Sequence, residues 1–156
     1  MSEKGEIASN RKAPRDYHIL ERYEAGIELK GTEVKSIRLG HINIGDAFAR
    51  VERGQCFLYG CDIQPYVKAS HEQHEARRTR RLLLHKNQIM SLWAASQQKG
   101  LSIVALRAYW KNGNVKIEIA SGKGKTKGDQ RQDLKKKAEM REAQRDMAHF
   151  NERKGR

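Results

Sequence analysis

No part of the chain restricts its fold as tightly as residues 24–46, EAGIELKGTEVKSIRLGHINIGD. Ile27 and Leu29 alternate with Glu28 and Lys30, the period of a strand with one buried face. Gly31 breaks that strand, and Thr32 stands where a short helix needs an N-cap. Glu33 lies at the helix end that favours an acid; Lys35 and Arg38 fall toward the end that favours bases. Val34 and Ile37 form a two-residue apolar face, and Gly40 is placed to end the helix. Ile42 and Ile44 resume strand alternation before Gly45-Asp46 turns the chain again. Strand, short helix and strand with two glycine joints give a small β-barrel whose helix plugs a gap in the wall. The segment holds no nucleophile, phosphate loop or metal cluster.

The flanking sequence extends the same architecture. Residues 1–15 read as a flexible basic arm, with Asn10-Arg11-Lys12-Ala13 standing between a solvated tail and a nucleic-acid contact. Tyr17, Ile19 and Tyr23 have the spacing of a strand leading into the central segment. After Asp46 a hairpin is expected. Ala47, Ala49 and Val51 alternate with Phe48 and Arg50, Arg53-Gly54-Gln55 turns, and Phe57, Tyr59, Cys61 and Ile63 line one face of the return strand. Cys56 and Cys61 would then point to opposite faces, which argues against a disulfide and for a reducing compartment. Joining them to His71 and His74 gives no common zinc spacing, so neither metal nor cofactor is expected.

Residues 67–81 show no consistent period and read as a long loop ending in Arg77, Arg78, Arg80 and Arg81, a group suited to bidentate phosphate contacts. Residues 85–99 read as a helix with Ile89, Leu92, Trp93 and Ser96 on one face and Gly100 as its stop. Asn112-Gly113 marks a two-residue hairpin turn. It pairs Lys111 with Asn114, Trp110 with Val115, Ala108 with Ile117 and Leu106 with Ile119. The opposite face carries Arg107 across from Glu118 and Tyr109 across from Lys116. With Lys111 this is a basic face around an aromatic, suited to RNA backbone and base stacking or simply to water.

Charge decides the class of partner. Lys and Arg number 32 against 19 Asp and Glu, a formal net charge of +13, which calls for a polyanion. No apolar run approaches the ~20 residues of a membrane span, and the first residues lack the apolar core of a signal peptide. The expectation is a cytoplasmic protein that binds RNA or DNA, with no membrane or small-molecule partner. Beyond Gly122 the chain is glycine-rich, then charged and helix-permissive, with a thin stripe of Met140, Ala143, Met147 and Phe150. That stripe is too weak to hold an isolated helix, so the tail reads as disordered when free and helical against RNA. G-x4-G-K-[ST] is absent, so Gly122–Gly128 is no phosphate loop.

In order, Asn10-Arg-Lys-Ala13, E-A-G-I-x-L-x-G-T-E-V-K-S-I-R-x-G from Glu24, Asn43 through Asp46, H-E-A-R-R-T-R-R-L-L-L-H-K from His74 and A-L-x-x-Y-W-K-N-G from Ala105 resemble the SsrA-binding protein (SmpB) family over residues 10–147. The resemblance implies a mainly β fold: a small antiparallel OB-like barrel with short helices at 16–121 and a basic tail at 122–156. It also implies a non-enzymatic adaptor that binds the tRNA-like part of transfer-messenger RNA (tmRNA, or SsrA RNA). With it the adaptor enters the vacant A site of a stalled 70S ribosome, alongside elongation factor Tu on alanyl-tmRNA, and the stalled peptide is tagged. The tail would become helical in the small-subunit rRNA decoding centre and mRNA path.

By motif position Glu24, Leu83, His85 and Lys116 match the family's tmRNA-binding residues. Lys35, Arg38, Arg77, Arg78, Arg80, Arg81, Tyr109 and Lys111 complete the expected RNA-binding set. Gly124-Lys125 and Asp129-x-Arg131 match a G-K-K-x-x-D-K-R motif. The expected ribosome-binding tail also takes in Lys123, Lys127, Lys135, Lys136, Lys137, Arg141 and Arg145. Thr126 and Gln130 replace lysines of that motif, Gly128 occupies a position often aromatic or His, and Ala76 stands where Pro is common. Two competing readings remain: an RNA-processing enzyme using His71, His74 or His85 with Glu24, for which nothing in the spacing makes the side chains converge, and a general OB-type ribosome or RNA binder.

Overall fold

The computed structural model describes residues 5–68 and 73–154. The chain divides after Gly124 into two units, and each is described by itself. In the first, strands β1 (Glu6–Ser9), β2 (Tyr17–Ile27), β3 (Ile42–Asn43), β4 (Phe48–Glu52), β5 (Gln55–Tyr59), β6 (Asp62–Ile63), β7 (Arg80–Leu83), β8 (Leu101–Lys111) and β9 (Asn114–Gly124) alternate with helices α1 (Lys12–Asp16), α2 (Gly31–Arg38) and α3 (Lys86–Ser96). Strands β8, β4, β5, β7, β2 and β9 pair in that order, and β9 returns to β8, so the sheet closes as an antiparallel ring. Closure leaves few unpaired edges. β1 extends the sheet on β8, and β3 pairs with β6 separately. Ile37 of α2 and Leu92 of α3 enter the same core as Ala25, Leu58, Leu82, Ile103, Ile117 and Ile119.

The hairpin turn forms as its dipeptide requires, with positive φ at Asn112 (52°) and Gly113 (77°). Arg107 faces Glu118 and Tyr109 faces Lys116. Below that point the register slips: Ala105, not Leu106, lies opposite Ile119. Leu106 is the extra residue of a β-bulge and turns outward to a second cluster with Ala13, Val104 and Ala120. The carbonyls of the bulge are satisfied by Asn10. Its Nδ2 donates to the Ala105 carbonyl (2.9 Å) and its backbone N–H to that of Leu106 (2.7 Å). Asn10 Oδ1 accepts from the N–H groups of Lys12 and Ala13, each at 3.2 Å, and so starts α1. The described part of the expected flexible arm is therefore packed structure. Its motif works on the fold.

Other corrections share a physical origin in local backbone geometry. β2 runs unbroken from Tyr17 to Ile27, and α2 is capped by Lys30, whose N–H donates to the Glu33 carboxylate at 2.7 Å. Thr32 is no cap. The buried face of α2 is Glu33, Ser36 and Ile37, whereas Val34 is half-buried. On the return strand Cys56 and Leu58 point inward and Phe57 and Tyr59 outward, the reverse of the alternation expected from sequence. Gly60 resets the phase. Its φ is +71°, and a Cβ there would lie 2.6 Å from the Asp46 carbonyl oxygen. Cys61 and Ile63 consequently also face the core, and the two cysteines are both buried and both free. Burial pushes each thiol up to about 11.

At the other end, Gly122-Lys123-Gly124 belongs to β9, with Lys123 between His18 of β2 and Leu101 of β8. The second unit contains α4 (Lys127–Lys154), a single helix. Along it Leu134, Met140, Met147 and Phe150 are exposed.

Candidate nucleic-acid interface

The outer surface of β2, β9 and β8 gathers four of the predicted residues, Glu24, Tyr109, Lys111 and Lys116. Glu24 and Glu118 are backbone neighbours across β2 and β9, and Lys116 and Tyr109 across β9 and β8. The Glu24 carboxylate accepts the Tyr109 hydroxyl and the Lys111 ammonium (3.0 and 3.3 Å). The Tyr109 bond foremost, then Lys111, holds Glu24 below the usual carboxylate range. Burial and then the bond to Glu24 raise the Tyr109 phenol. The Arg107 guanidinium lies 4.7 Å from the Tyr109 ring centre, and its Nε donates to Glu118 at 3.0 Å. Arg22 donates to the other Glu118 oxygen at 3.2 Å. Arg22 was missed in the sequence because the strand period reaches it only after a register shift in β2.

Gly26 pairs with both Leu83 and Lys116 and interposes no side chain between them. Leu83 is 46% exposed, so an apolar patch adjoins the charged one. His85, two residues on, is exposed and caps α3, its N–H donating to Gln88 Oε1 at 3.1 Å. Glu24, Leu83, Tyr109, Lys111 and Lys116 thus share one surface. Trp93, on the face expected to hold Ile89 and Leu92, is 53% exposed.

The arginine loop divides by burial. Arg80 belongs to β7 and is fully buried. Its Nε donates to Glu33 at 2.5 Å and its other nitrogens to the carbonyls of Cys61 (2.7 Å), Arg78 (3.0 Å) and Ala76 (3.1 Å). Arg78 donates to the other Glu33 oxygen at 2.6 Å. Burial raises the Glu33 pKa, but the bonds from Arg78, the Lys30 N–H and Arg80 hold it below its ordinary value. Arg80 is therefore a core residue and cannot grip phosphate, contrary to the sequence expectation. Arg77 stays exposed between Asp46 and Asp62, each at 3.8 Å, and Arg81 lies 3.5 Å from Glu28. Lys35 and Arg38 are exposed on α2, with the Lys35 ammonium 5.5 Å from the Tyr66 ring centre. His74 is buried, its Nδ1 bonded to the Thr32 hydroxyl and its Nε2 to the Ile63 carbonyl, both at 2.9 Å. Both nitrogens hold structure; His71 lies outside the described residues.

A second surface escaped sequence reading. On the outside of β4 and β5, Phe48 stacks on Tyr59 (5.5 Å, 15° between planes), with the Arg50 guanidinium 5.4 and 5.7 Å from the two ring centres. A cleft of about 610 Å³ adjoins it, lined in part by Lys12, Tyr17 and Arg50. The outward alternation of Phe48 and Arg50 was legible, but the reversed phase of β5 hid Tyr59.

In the tail, Lys127, Arg131, Lys135, Lys136, Lys137, Arg141 and Arg145 are exposed along α4. Lys125 pairs with Asp133, and Asp129 bonds at the start of the helix. Lys123 and Gly124 are exposed at the end of β9. Among the described residues no group of three or more His, Cys, Asp and Glu side chains is placed to hold a metal, and no helix is long and apolar enough to cross a membrane.

Comparison with known proteins agrees with this geometry. The family model described as SmpB protein matches residues 7–149. An SsrA-binding protein of Carboxydothermus hydrogenoformans is 52% identical over 87% of this chain and 91% of its own length. One from Sulfurihydrogenibium is 51% identical over 91% and 93% respectively. A solved structure described as "tmRNA-SmpB: a journey to the center of the bacterial ribosome" is 41% identical with a TM-score of 0.65, covering 81% of this chain and 93% of that one. The closed antiparallel ring, the clustered outer face of β2, β9 and β8, and a family match running from β1 into α4 lead to one assignment: the chain belongs to the SmpB protein family.

Proposed function

We propose that this chain is a bacterial, cytoplasmic, non-enzymatic adaptor that binds the tRNA-like part of tmRNA and carries it to the vacant A site of stalled ribosomes for peptide tagging. The observation that carries the reading is the ordered outer face of β2, β9 and β8. There Glu24 holds Tyr109 and Lys111 beside Lys116, and Leu83 supplies an apolar edge. Folded RNA is recognised by shape, backbone and exposed base edges, and a prearranged sheet face with an aromatic, cations and an acceptor offers partners for each. Glu24, Leu83, His85, Tyr109, Lys111 and Lys116 contact tmRNA in this reading; Arg77, Arg81, Lys35 and Arg38 add long-range attraction. Arg78 and Arg80 hold the loop. The β4–β5 face, with Arg50 beside the stacked Phe48 and Tyr59, offers stacking on another side of the barrel, as an adaptor between two RNAs requires. The basic residues of α4 serve the decoding centre, with elongation factor Tu joining on alanyl-tmRNA.

The test is a mobility shift with the tRNA-like half of tmRNA at two salt concentrations, for the whole chain and for a truncation after Gly124, where β9 ends. Both are expected to bind with steep salt dependence, and only the whole chain to support tagging on stalled ribosomes. Equal affinity for tmRNA, bulk tRNA and duplex DNA would instead favour a general RNA binder. A truncation that tags normally would remove the tail's role.

A further inference from the structure

Tyr109 is the aromatic that the sequence offers for base stacking on the outer face, but in the fold much of it is already engaged. From β8 its hydroxyl reaches the Glu24 carboxylate on β2, so the ring lies across β9. The Arg107 guanidinium stands over one face of that ring, 4.7 Å from its centre. A base arriving on that side meets a guanidinium.

Glu118 of β9 holds the guanidinium in place. In the sheet it lies between Glu24 on β2 and Arg107 on β8. Carboxylates opposite each other on neighbouring strands repel. Here each is offset by its own donors: Glu24 by Tyr109 and Lys111, Glu118 by Arg107 at 3.0 Å and Arg22 at 3.2 Å. The two Glu118 oxygens take one arginine each. The Glu118 side chain is 14% exposed, against 32% for Arg107 and 64% for Arg22, so the carboxylate is covered while both arginines reach solvent. Among the described residues Glu118 is the one hydrogen-bond partner of either guanidinium, and each keeps its remaining N–H donors for a ligand.

The two arginines differ in kind. Arg107 is held twice, by the carboxylate and by the ring, which gives its planar group a fixed attitude, and bases splayed from folded RNA stack on such planes. Arg22 is held once, two residues from Glu24 along β2, and offers a charge. We propose that Arg107 and Arg22 extend the RNA-binding face: Arg107 is the surface on which a splayed base stacks, Arg22 contacts a phosphate, and Glu118 positions both. The inference rests on the proposed tmRNA-binding role of this face and adds to it three residues that neither charge nor strand period singled out.

The experiment follows binding of the full-length chain to the tRNA-like half of tmRNA by mobility shift over a series of salt concentrations. Duplex DNA serves as the comparison polyanion, and thermal unfolding checks that each variant is folded. Charge alone predicts that Glu118→Ala, which removes an anion from the face, tightens binding to every polyanion. The positioning role predicts the reverse for tmRNA: affinity falls about fivefold, the lower end for one stacked base, while affinity for duplex DNA does not fall. Arg107→Lys keeps the charge and the reach to Glu118 but loses the plane, and is expected to weaken tmRNA binding by about the same factor at an unchanged salt slope. Arg22→Gln is expected to lower the slope of log K against log salt by about 0.7–0.9. Tighter tmRNA binding by Glu118→Ala would overturn the positioning role, unaltered affinity in Arg107→Lys the stacking role, and an unaltered slope in Arg22→Gln the phosphate contact. Lys116→Ala separates the two levels. If it weakens binding while the other three variants do not, this inference alone fails; if it too has no effect, the face is not the RNA site.

Discussion

Arg80→Leu separates a structural arginine from an RNA-binding one. The wild-type side chain is fully buried and bonds Glu33 together with the carbonyls of Cys61, Arg78 and Ala76. Leucine fills much of the volume but leaves the buried Glu33 carboxylate one cation short. Breaking a buried pair from one side costs about 3–5 kcal/mol. Arg78 still donates to Glu33 at 2.6 Å and the Lys30 N–H at 2.7 Å, so the lower end, about 3 kcal/mol, applies. For a domain of this size that is a fall in Tm of roughly 10–15 °C. Thermal unfolding of the full chain measures it. Arg80→Leu combined with Glu33→Leu should recover part of the loss, because an apolar replacement of both partners leaves no stranded charge. The second measurement is the salt dependence of binding to the tRNA-like half of tmRNA, taken well below the melt. A residue that grips no phosphate leaves the slope of log K against log salt unchanged; a lost phosphate contact would lower it by about 0.7–0.9. A variant as stable as wild type with a shallower slope would refute the structural assignment.

Lys116→Ala has the opposite signature: a shallower slope by about 0.7–0.9 with stability within about 0.5 kcal/mol of wild type, read by the same two assays. Acid unfolding follows from Glu33. Its folded-state pKa lies below the unfolded value of about 4.5, so its contribution is complete above that value and is lost as pH falls through the folded pKa. Glu33→Gln, already destabilised at neutrality, should accordingly lose less stability than wild type between pH 6 and pH 3 in denaturant melts. The two buried thiols, pushed up to about 11, should resist alkylation at pH 8 in the folded protein and both react once it is unfolded. Rapid labelling of Cys56 alone would place it outside the core.

What the sequence revealed was set by local rules, and what it concealed by tertiary ones. The Asn112-Gly113 hairpin, the stops at Gly40 and Gly100 and the face bearing Tyr109 and Lys116 follow from turn chemistry and a two-residue period, which act over a few residues. Two local events defeat that period: Gly60 just after β5 and the bulge at Leu106 in β8 each reverse which residues face inward. The position of Arg80 was beyond such rules. Four arginines in a basic chain look alike in sequence, and only the arrival of Glu33 from α2, 47 residues away, takes one of them into the core. The Asn10 motif was misassigned for the same reason, since its partner carbonyl lies 95 residues away. At the start of α4, the reciprocal bonds of Thr126 and Asp129 were visible as the spacing Thr126-x-x-Asp129.

A carboxylate at the centre of a surface meant for a polyanion follows from what that surface must do. Glu24 and Glu118 each hold two neighbours, Tyr109 with Lys111 and Arg22 with Arg107, while Lys116 completes the group. Long basic side chains free in solvent lose about 0.5–1.5 kcal/mol each when RNA orders them. Tethering them beforehand moves that cost into folding and fixes the spacing of the donors. The same carboxylates repel phosphate, so a nonspecific backbone gains less here than on an all-basic face, whereas a base N–H or a ribose 2′-hydroxyl finds an acceptor. In the proposed function the barrel face thereby favours a particular folded RNA over polyanions in general. In the same reading, sequence-independent attraction to the ribosome falls to the basic residues of α4, where no comparable pattern of acids interrupts the arc of Lys127, Arg131, Arg141 and Arg145. Removing Glu24 should consequently lower discrimination between RNAs more than it lowers affinity for any one of them.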